Sequence, residues 1–175
     1  MKIIVLLILI IIGGFAFWYG LKAVLKTEYP LLAVASGSMK PTLNYGDLVI
    51  VQGGLNACEI KAAPKPEGDI IVFWKPSDPG TLFVQRAVAS VFYEGTLYFA
   101  TMGDNSNCTD REPVSEKDVV GRVTGKVPLL GYIPLAAQTL FAQTSEGMYV
   151  IIILVVIFTL IGRRFFSRKD RLHPG

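Results

Sequence analysis

The feature that most limits how this chain can fold is an apolar run at its N-terminus. Residues 3–21 contain no charged side chain, and only glycines and Tyr19 interrupt the hydrophobic residues. A helix of this length rises by about 1.5 Å per residue and covers roughly the hydrocarbon core of a bilayer. A cleavable signal peptide is the alternative, but its apolar part usually has about 7–15 residues, and no small-residue cleavage site precedes Lys22. We therefore predict a membrane anchor over residues 1–25.

A second apolar run lies near the C-terminus. Residues 148–162 carry no charge and are mostly Ile, Val and Leu, although alone they are short for a membrane span. A buried core helix is the alternative, but a basic tail follows directly, as is typical of a cytoplasmic flank. We predict a second transmembrane helix over residues 144–162 and a cytoplasmic tail over residues 163–175. The basic residues of that tail are Arg163, Arg164, Arg168, Lys169 and Arg171.

Between the two runs the chain is acidic. Residues 27–146 carry nine Lys and Arg against thirteen Asp and Glu, so the positive net charge comes from the two ends. Two spans put both termini on one side, and the basic tail puts that side in the cytoplasm. The middle is then extracytoplasmic, and it lacks the basic patch that nucleic-acid binding requires. In that compartment Cys58 and Cys108 can form a disulfide, although the sequence leaves their pairing open.

The pattern of residues 26–143 is typical of a mainly β domain. Short apolar runs at 47–52, 69–74, 82–89 and 96–102 predict strands, and clusters of Gly, Pro, Asn and Asp separate them. Because no long amphipathic helix lies between them, we expect an antiparallel, barrel-like sheet. Residues 127–141 are apolar, but Pro128, Gly131 and Pro134 oppose a regular strand or helix. This stretch is expected to pack either against the membrane surface or in the core.

The most informative segment is Ser36-Gly37-Ser38-Met39-Lys40-Pro41-Thr42-Leu43, followed by Gly46-Asp47. A glycine beside a serine lets the backbone turn tightly and brings amide groups near a developing oxyanion, whereas an isolated turn of this kind is usually an ordinary loop. The segment resembles the serine segment of type I signal peptidases. Three further segments follow in that family's order: residues 68–73, residues 84–88, and residues 103–106 with Asp110 and residues 121–123.

The resemblance implies a signal-peptidase catalytic domain between two transmembrane helices. It makes Ser38 the nucleophile and assigns oxyanion stabilisation to the Ser38 amide and the Ser36 hydroxyl. Asp104 and Asp110 match aspartates that position the base or organise the active-site loop, although both also suit turn chemistry. The implied substrates are signal peptides of preproteins, bound along an exposed strand edge at the membrane of the cell or the endoplasmic reticulum. The family needs no metal or organic cofactor, and processing-complex subunits are possible partners.

One residue departs from the family's pattern. In the family, the residue before the Arg of the 84–88 segment is the general base. It is Lys in the bacterial branch and His in the archaeal and endoplasmic-reticulum branch, but here it is Gln85. A carboxamide has no useful basicity near neutral pH, so it cannot take the serine proton. The only histidine, His173, falls in the predicted cytoplasmic tail, which leaves Lys75 and Asp104 as remaining candidate acceptors. Either a natural inactive relative or an inactivating His-to-Gln substitution would explain the glutamine.

Three functions are therefore open. The first is a membrane-bound serine endopeptidase that removes signal peptides and is nearly inert as given, because loss of the base costs several powers of ten in rate. The second is a non-catalytic relative that binds signal peptides or serves as a subunit of a processing complex. The third is a structural β module between two anchors, which the ordered motif matches disfavour.

Overall fold

In this computed structural model, residues 2–78 and 80–142 are described, without side chains for residues 2–4, 7, 10 and 139–142. The predicted second span and basic tail, with His173, lie outside the described residues. A helix at each end flanks seven strands. The elements are α1 (Lys2–Leu25), β1 (Leu31–Ala33), β2 (Leu48–Gln52), β3 (Ile70–Trp74), β4 (Leu82–Tyr93), β5 (Thr96–Met102), β6 (Val114–Ser115), β7 (Val119–Val127) and α2 (Tyr132–Ala142).

The chain divides into two compact units. The larger one, Ala16–Leu135, contains all seven strands, and the described parts of the other are residues 2–15 and 136–142. A search of the described residues finds no helix that is both long and apolar enough to cross a membrane.

The seven strands form one antiparallel sheet in the order β1-β2-β7-β3-β4-β5-β6. The predicted antiparallel β class is confirmed, but the barrel-like arrangement is wrong, because β1 and β6 lie at opposite edges and do not pair. Both edge strands are short, since β1 has three residues and β6 has two. The sequence pattern missed both, and it also missed β7, whose glycines, Arg122 and Lys126 dilute its apolar residues.

The core lies on both faces of the central strands. Side chains alternate across a strand, so Val72 packs into one hydrophobic cluster with Met39, while Ile71 and Phe73 pack into a second cluster with Phe99. This two-sided burial explains why β2 and β3 are continuous apolar runs rather than alternating ones. All four predicted strands are confirmed, although β4 continues beyond the predicted end to Tyr93.

The prediction that residues 127–141 form no regular element is wrong in its second half, where α2 begins at Tyr132. Pro134 is the third residue of this helix. A proline is tolerated there because the first turn has no intrahelical partner for its N–H groups. The preceding segment and the first turn are exposed rather than packed in the core, and Leu129 and Ile133 have 70% and 67% of their surface accessible.

Candidate active site

The Ser38 turn, residues 36–43, connects β1 to β2. Lys40 N donates to Gly37 O at 3.3 Å and Leu43 N donates to Met39 O at 2.8 Å, so the backbone coils back on itself. Met39 and Leu43 are buried in the core, whereas Ser36 and Ser38 are exposed. Two apolar anchors within one turn therefore fix the backbone, and the two serines that precede them stay exposed.

The hydroxyl groups of Ser36 and Ser38 lie 3.0 Å apart, and either one can donate the hydrogen bond. Among the described residues, this is the one hydrogen-bond partner that the structure gives Ser38 Oγ. No imidazole, amine or carboxylate of the described chain lies within hydrogen-bond distance of that oxygen. The arrangement brings together the two predicted serines but not a proton acceptor.

The turn after β5 holds the Ser38 backbone in place. Asn105 N donates to Ser38 O at 2.8 Å. Gly103 permits this approach, because a Cβ at that position would lie 2.7 Å from Ser38 O and 3.4 Å from Ser38 Cβ. Any other residue would push the Ser38 turn away. The first and third residues of the G-D-N sequence, Gly103 and Asn105, therefore contact the Ser38 backbone closely.

Asp104, the middle residue of that sequence, binds a buried arginine. Arg86 Nε donates to Asp104 Oδ1 at 2.7 Å and Nη2 donates to Oδ2 at 2.6 Å. Thr42, in the Ser38 turn, donates its hydroxyl hydrogen to Asp104 Oδ2. Arg86 also donates through Nη1 to the carbonyl oxygens of Pro66, at 3.0 Å, and Gly68. Asp104 thus connects β4 to the Ser38 turn and contacts no candidate base.

The pKa of Asp104 is lowered from its ordinary value. Burial of the carboxyl raises its pKa, but hydrogen bonds from Arg86 and Thr42 and the positive charges of Arg86 and Lys65 lower it by more in total. The group is therefore a carboxylate at neutral pH. With both oxygens already accepting hydrogen bonds, it is a poor acceptor for a serine proton.

Gln85 lies on β4 opposite Ile71 and has 8% of its surface exposed. Its Oε1 is buried without a hydrogen-bond partner. The β4–β5 register pairs Arg86 with Met102, and continuing that register by one residue sets Gly103 opposite Gln85. Since Gly103 also contacts Ser38, this glycine lies between position 85 and the Ser38 turn. A buried acceptor without a partner is unusual, which makes position 85 a candidate functional position.

Three other predicted groups are not part of this arrangement. Lys75 Nζ lies 4.9 Å from the centre of the Phe83 ring, in a cation–π contact rather than at Ser38. Asp110 donates its backbone N–H to Thr101 O at 2.8 Å, which places it beside the end of β5 without a recorded side-chain contact to Ser38. Cys58 and Cys108 are both free and exposed, so no disulfide joins them.

Sequence reasoning missed three residues near the turn. Thr42 lies within the serine motif, but its bond to Asp104 could not be foreseen. Lys126 on β7 donates to Thr42 O at 2.7 Å and lies 3.6 Å from Asp47 Oδ2. Lys65 Nζ lies 3.4 Å from Asp104 O. In residues 2–78 and 80–142, no three acidic, histidine or cysteine side chains cluster closely enough to hold a metal ion.

Comparison with known proteins identifies the family of this chain. Residues 1–91 match the family described as signal peptidase, peptidase S26. The signal peptidase complex catalytic subunit SEC11 of Schizophyllum commune is 28% identical over 155 residues, which cover 79% of this chain and 80% of that relative. The SEC11 subunit of Tuber melanosporum is 30% identical and covers 73% of each chain. Human SEC11C is also 30% identical, over 73% of this chain and 67% of its own length. The chain therefore belongs to the type I signal peptidases of peptidase family S26, in the branch that resembles the endoplasmic-reticulum enzymes.

Proposed function

We propose that this chain is a membrane-bound serine endopeptidase for signal peptides whose hydrolytic step is disabled at one position. Its family membership makes it a serine-type signal peptidase, and its relatives are named as catalytic subunits of signal peptidase complexes. The observation that carries the proposed disablement is Gln85, a buried residue whose Oε1 has no hydrogen-bond partner, at the position that the resemblance assigns to the family's base.

In the proposed mechanism Ser38 Oγ attacks the carbonyl carbon of the scissile peptide bond. The exposure of Ser38 and the rigid turn beneath it support this role. The Ser38 amide and the Ser36 hydroxyl then donate to the oxyanion of the tetrahedral intermediate. Ser36 already lies within hydrogen-bond distance of Ser38 Oγ, so its hydroxyl is close to where that oxyanion forms.

We assign different roles to the two aspartates. Asp104 is a positioning residue, because Arg86 and Thr42 occupy its oxygens and it holds the Ser38 turn against the turn after β5. Asp110 remains the candidate for orienting a base at position 85. It lies at the end of β5, beside Thr101, which pairs with Ala87 two residues along β4 from Gln85.

Without a basic group at position 85 the Ser38 proton has no acceptor. Gln85 can form hydrogen bonds but cannot accept the proton near neutral pH. In a serine protease, loss of a triad member leaves a residual rate about 10³–10⁴-fold above water, from the oxyanion donors and substrate binding. We therefore expect the chain as given to bind signal peptides and to cleave them very slowly.

The proposed substrate site lies along β1. This strand is at one edge of the sheet and ends at Ala33, three residues before Ser36. An extended peptide that adds to such an edge gains main-chain hydrogen bonds and would run toward the serine. A peptide bound at this edge would keep its scissile bond within reach of Ser38.

We also propose that the chain is attached to a lipid bilayer. The side chains of α1 support this, because its large hydrophobic residues are about half exposed, including Leu9 and Phe15 at 60% and 62%. Such a helix needs an apolar environment. In the larger unit, Leu129 and Ile133 present a separate exposed apolar surface that suits an interfacial contact. Predicted cytoplasmic termini and an extracytoplasmic β domain belong to this proposal.

The deciding experiment measures signal-peptide cleavage by the full chain in detergent. We compare the chain as given with Gln85→His and with Gln85→His combined with Ser38→Ala; Gln85→Lys tests the amine alternative. A general base contributes about 10²–10⁴-fold, so Gln85→His should raise the rate by that amount. Removal of Ser38 from that variant should abolish the gain. If neither basic substitution produces cleavage, the disabled-peptidase proposal is rejected.

A non-catalytic subunit is the second candidate. The relatives are named as subunits of signal peptidase complexes, although as the catalytic ones, so membership of a complex is the part of this candidate that they support. It would bind signal peptides with useful affinity but fail to cleave them in every Gln85 variant.

A further inference from the structure

One lysine lies in the Ser38 turn and a second lies at the loop that contacts it, and neither forms an ion pair with a described residue. Both Lys40 and Lys65 are exposed, and neither lies within ion-pair distance of an acidic side chain in the part of the chain that the structure describes. The ion pairs recorded there join other residues, namely Lys61–Glu67, Arg86–Asp104, Arg122–Asp69 and Lys126–Asp47. Among the described residues, neither ammonium group is neutralised by an ion pair of its own, although Lys65 donates a hydrogen bond to Asp104 O at 3.4 Å.

Lys40 lies over the glycine between the two serines. A Cβ placed on Gly37 would be 3.7 Å from Lys40 Cε and 3.8 Å from Lys40 Cδ. The end of the aliphatic side chain thus packs on the backbone of the Ser38 turn. Lys40 is exposed and only two residues from Ser38 in the same turn, so its ammonium group is available to a peptide that reaches Ser38.

Lys65 reaches the same region from another loop. Its Nζ lies 3.4 Å from Asp104 O, and the next residue, Asn105, donates to Ser38 O. The buried Arg86 fixes this loop by donating to the carbonyl oxygens of Pro66 and Gly68. The position of Lys65 therefore follows from the same buried ion pair that positions the Ser38 turn.

The local charge is opposite to that of the surrounding chain. The net charge near the turn is about +2, from Lys40, Lys65 and the Arg86–Asp104 pair. Residues 27–146 as a whole carry more Asp and Glu than Lys and Arg. We propose that Lys40 and Lys65 form a recognition site for a carboxylate side chain, so that the preferred peptides carry Asp or Glu within two residues of the scissile bond. This inference rests on the proposed function, because it requires a peptide bound at Ser38.

The two lysines act on specificity and not as the missing base. Ser38 Oγ has Ser36 Oγ within hydrogen-bond distance, and neither lysine Nζ is. A general base must lie within about 3 Å of the proton it removes. The site therefore discriminates among peptides before any chemical step, and it can be tested in the chain as given.

The test measures binding of fluorescent signal peptides to the full chain in detergent, with Gln85 unchanged. Each peptide has Asp, Asn or Lys at one position within two residues of the cleavage site, on either side. At low salt, we expect Asp at the recognised position to bind about three- to tenfold more tightly than Asn, the effect of one or two exposed ion pairs, with Lys weakest. The preference should shrink at high salt.

Matched variants assign the preference to the two lysines. Lys40→Gln with Lys65→Gln should remove it, and Lys117→Gln, an exposed lysine in the turn before β7, should leave it intact. Equal affinity for all peptides, or a preference that survives in the double variant, would overturn the inference while leaving the proposed function in place. Failure of every peptide to bind would overturn both.

Discussion

The guanidinium group of Arg86 holds the Asp104 carboxylate by two hydrogen bonds. The distances are 2.7 Å from Nε to Oδ1 and 2.6 Å from Nη2 to Oδ2. The side chain of Arg86 is 4% exposed and that of Asp104 is 0% exposed. A planar fork facing a carboxylate fixes orientation as well as distance. Because Thr42 and the 66–68 backbone also bind this pair, it joins β4, the turn after β5 and the Ser38 turn. Its main effect is to fix the geometry around Ser38.

Removal of one partner should be costly. Asp104→Ala leaves the Arg86 charge buried without compensation, and we expect the free energy of unfolding to fall by about 3–5 kcal/mol. Urea unfolding of the full chain, followed by tryptophan fluorescence, measures the change. As a control, Glu67→Ala breaks an exposed pair with Lys61 and should cost about 1 kcal/mol or less. Similar small losses in the two variants would show that the buried pair does not organise the fold.

The stability that Asp104 contributes should depend on pH. Its pKa is lower in the folded chain than in the unfolded chain, so the carboxylate stabilises the fold at neutral pH. That contribution begins to fall near the unfolded pKa of about 3.9 and is lost as pH drops through the lower folded value. The difference in unfolding free energy between the unmodified chain and Asp104→Asn should therefore narrow from pH 7 to pH 3. A difference that stays constant would contradict the lowered pKa.

Four of the strands could be predicted because apolar runs bounded by turn residues have few alternative structures. β1 and β6 could not, since two or three residues carry no periodic signal and pair only because neighbouring strands offer free edges. In α2, Pro134 misled the prediction because its effect depends on whether it falls in the first turn or the interior of a helix.

The active site was predictable only in its residue types. The serine motif led to Ser38 and Ser36, and the G-D-N segment led to Asp104, but residue type did not reveal that Asp104 binds Arg86 rather than a base. Contacts between residues far apart in sequence, such as Arg86 with Asp104, depend on how β4 and β5 pair. The sequence alone did not indicate that Lys40 and Lys65 lie near the same turn.

The hydroxyl of Thr42 should contribute more to the stability of the fold than the volume of its side chain does. Thr42→Val removes a hydrogen bond to a charged group, and we expect the free energy of unfolding to fall by about 1.5–3 kcal/mol. Thr42→Ser keeps the donor and should retain most of the stability. In the Gln85→His background, the valine variant should also lower kcat, because the Ser38 turn loses one of its contacts with the turn after β5. If valine and serine behave alike, the hydroxyl does not position the turn.

Gly103 should be intolerant of a side chain. In Gly103→Ala the new Cβ would approach Ser38 O to 2.7 Å and displace the backbone that Asn105 holds. We expect signal-peptide binding to weaken and the cleavage gained in Gln85→His to fall by about tenfold or more, as expected for misplacement of a reacting group by a fraction of an ångström. Gly125→Ala is the matched control, since its Cβ would meet only Ile50 Cδ1, at 3.5 Å. Full activity in Gly103→Ala would show that the site does not require a glycine at position 103.

Gln85 should lower stability in the chain as given. Its Oε1 is buried without a partner, and an unsatisfied buried acceptor costs about 1–3 kcal/mol. Gln85→Met keeps a similar length and removes the polar atoms, so we expect the free energy of unfolding to rise by about 1 kcal/mol or more. Gln52→Met, at a half-buried position on β2, should change it by only about 0.5 kcal/mol. A gain at position 85 would indicate that its polar group was retained for function at the expense of stability, whereas a loss would show that the amide of Gln85 has a structural role.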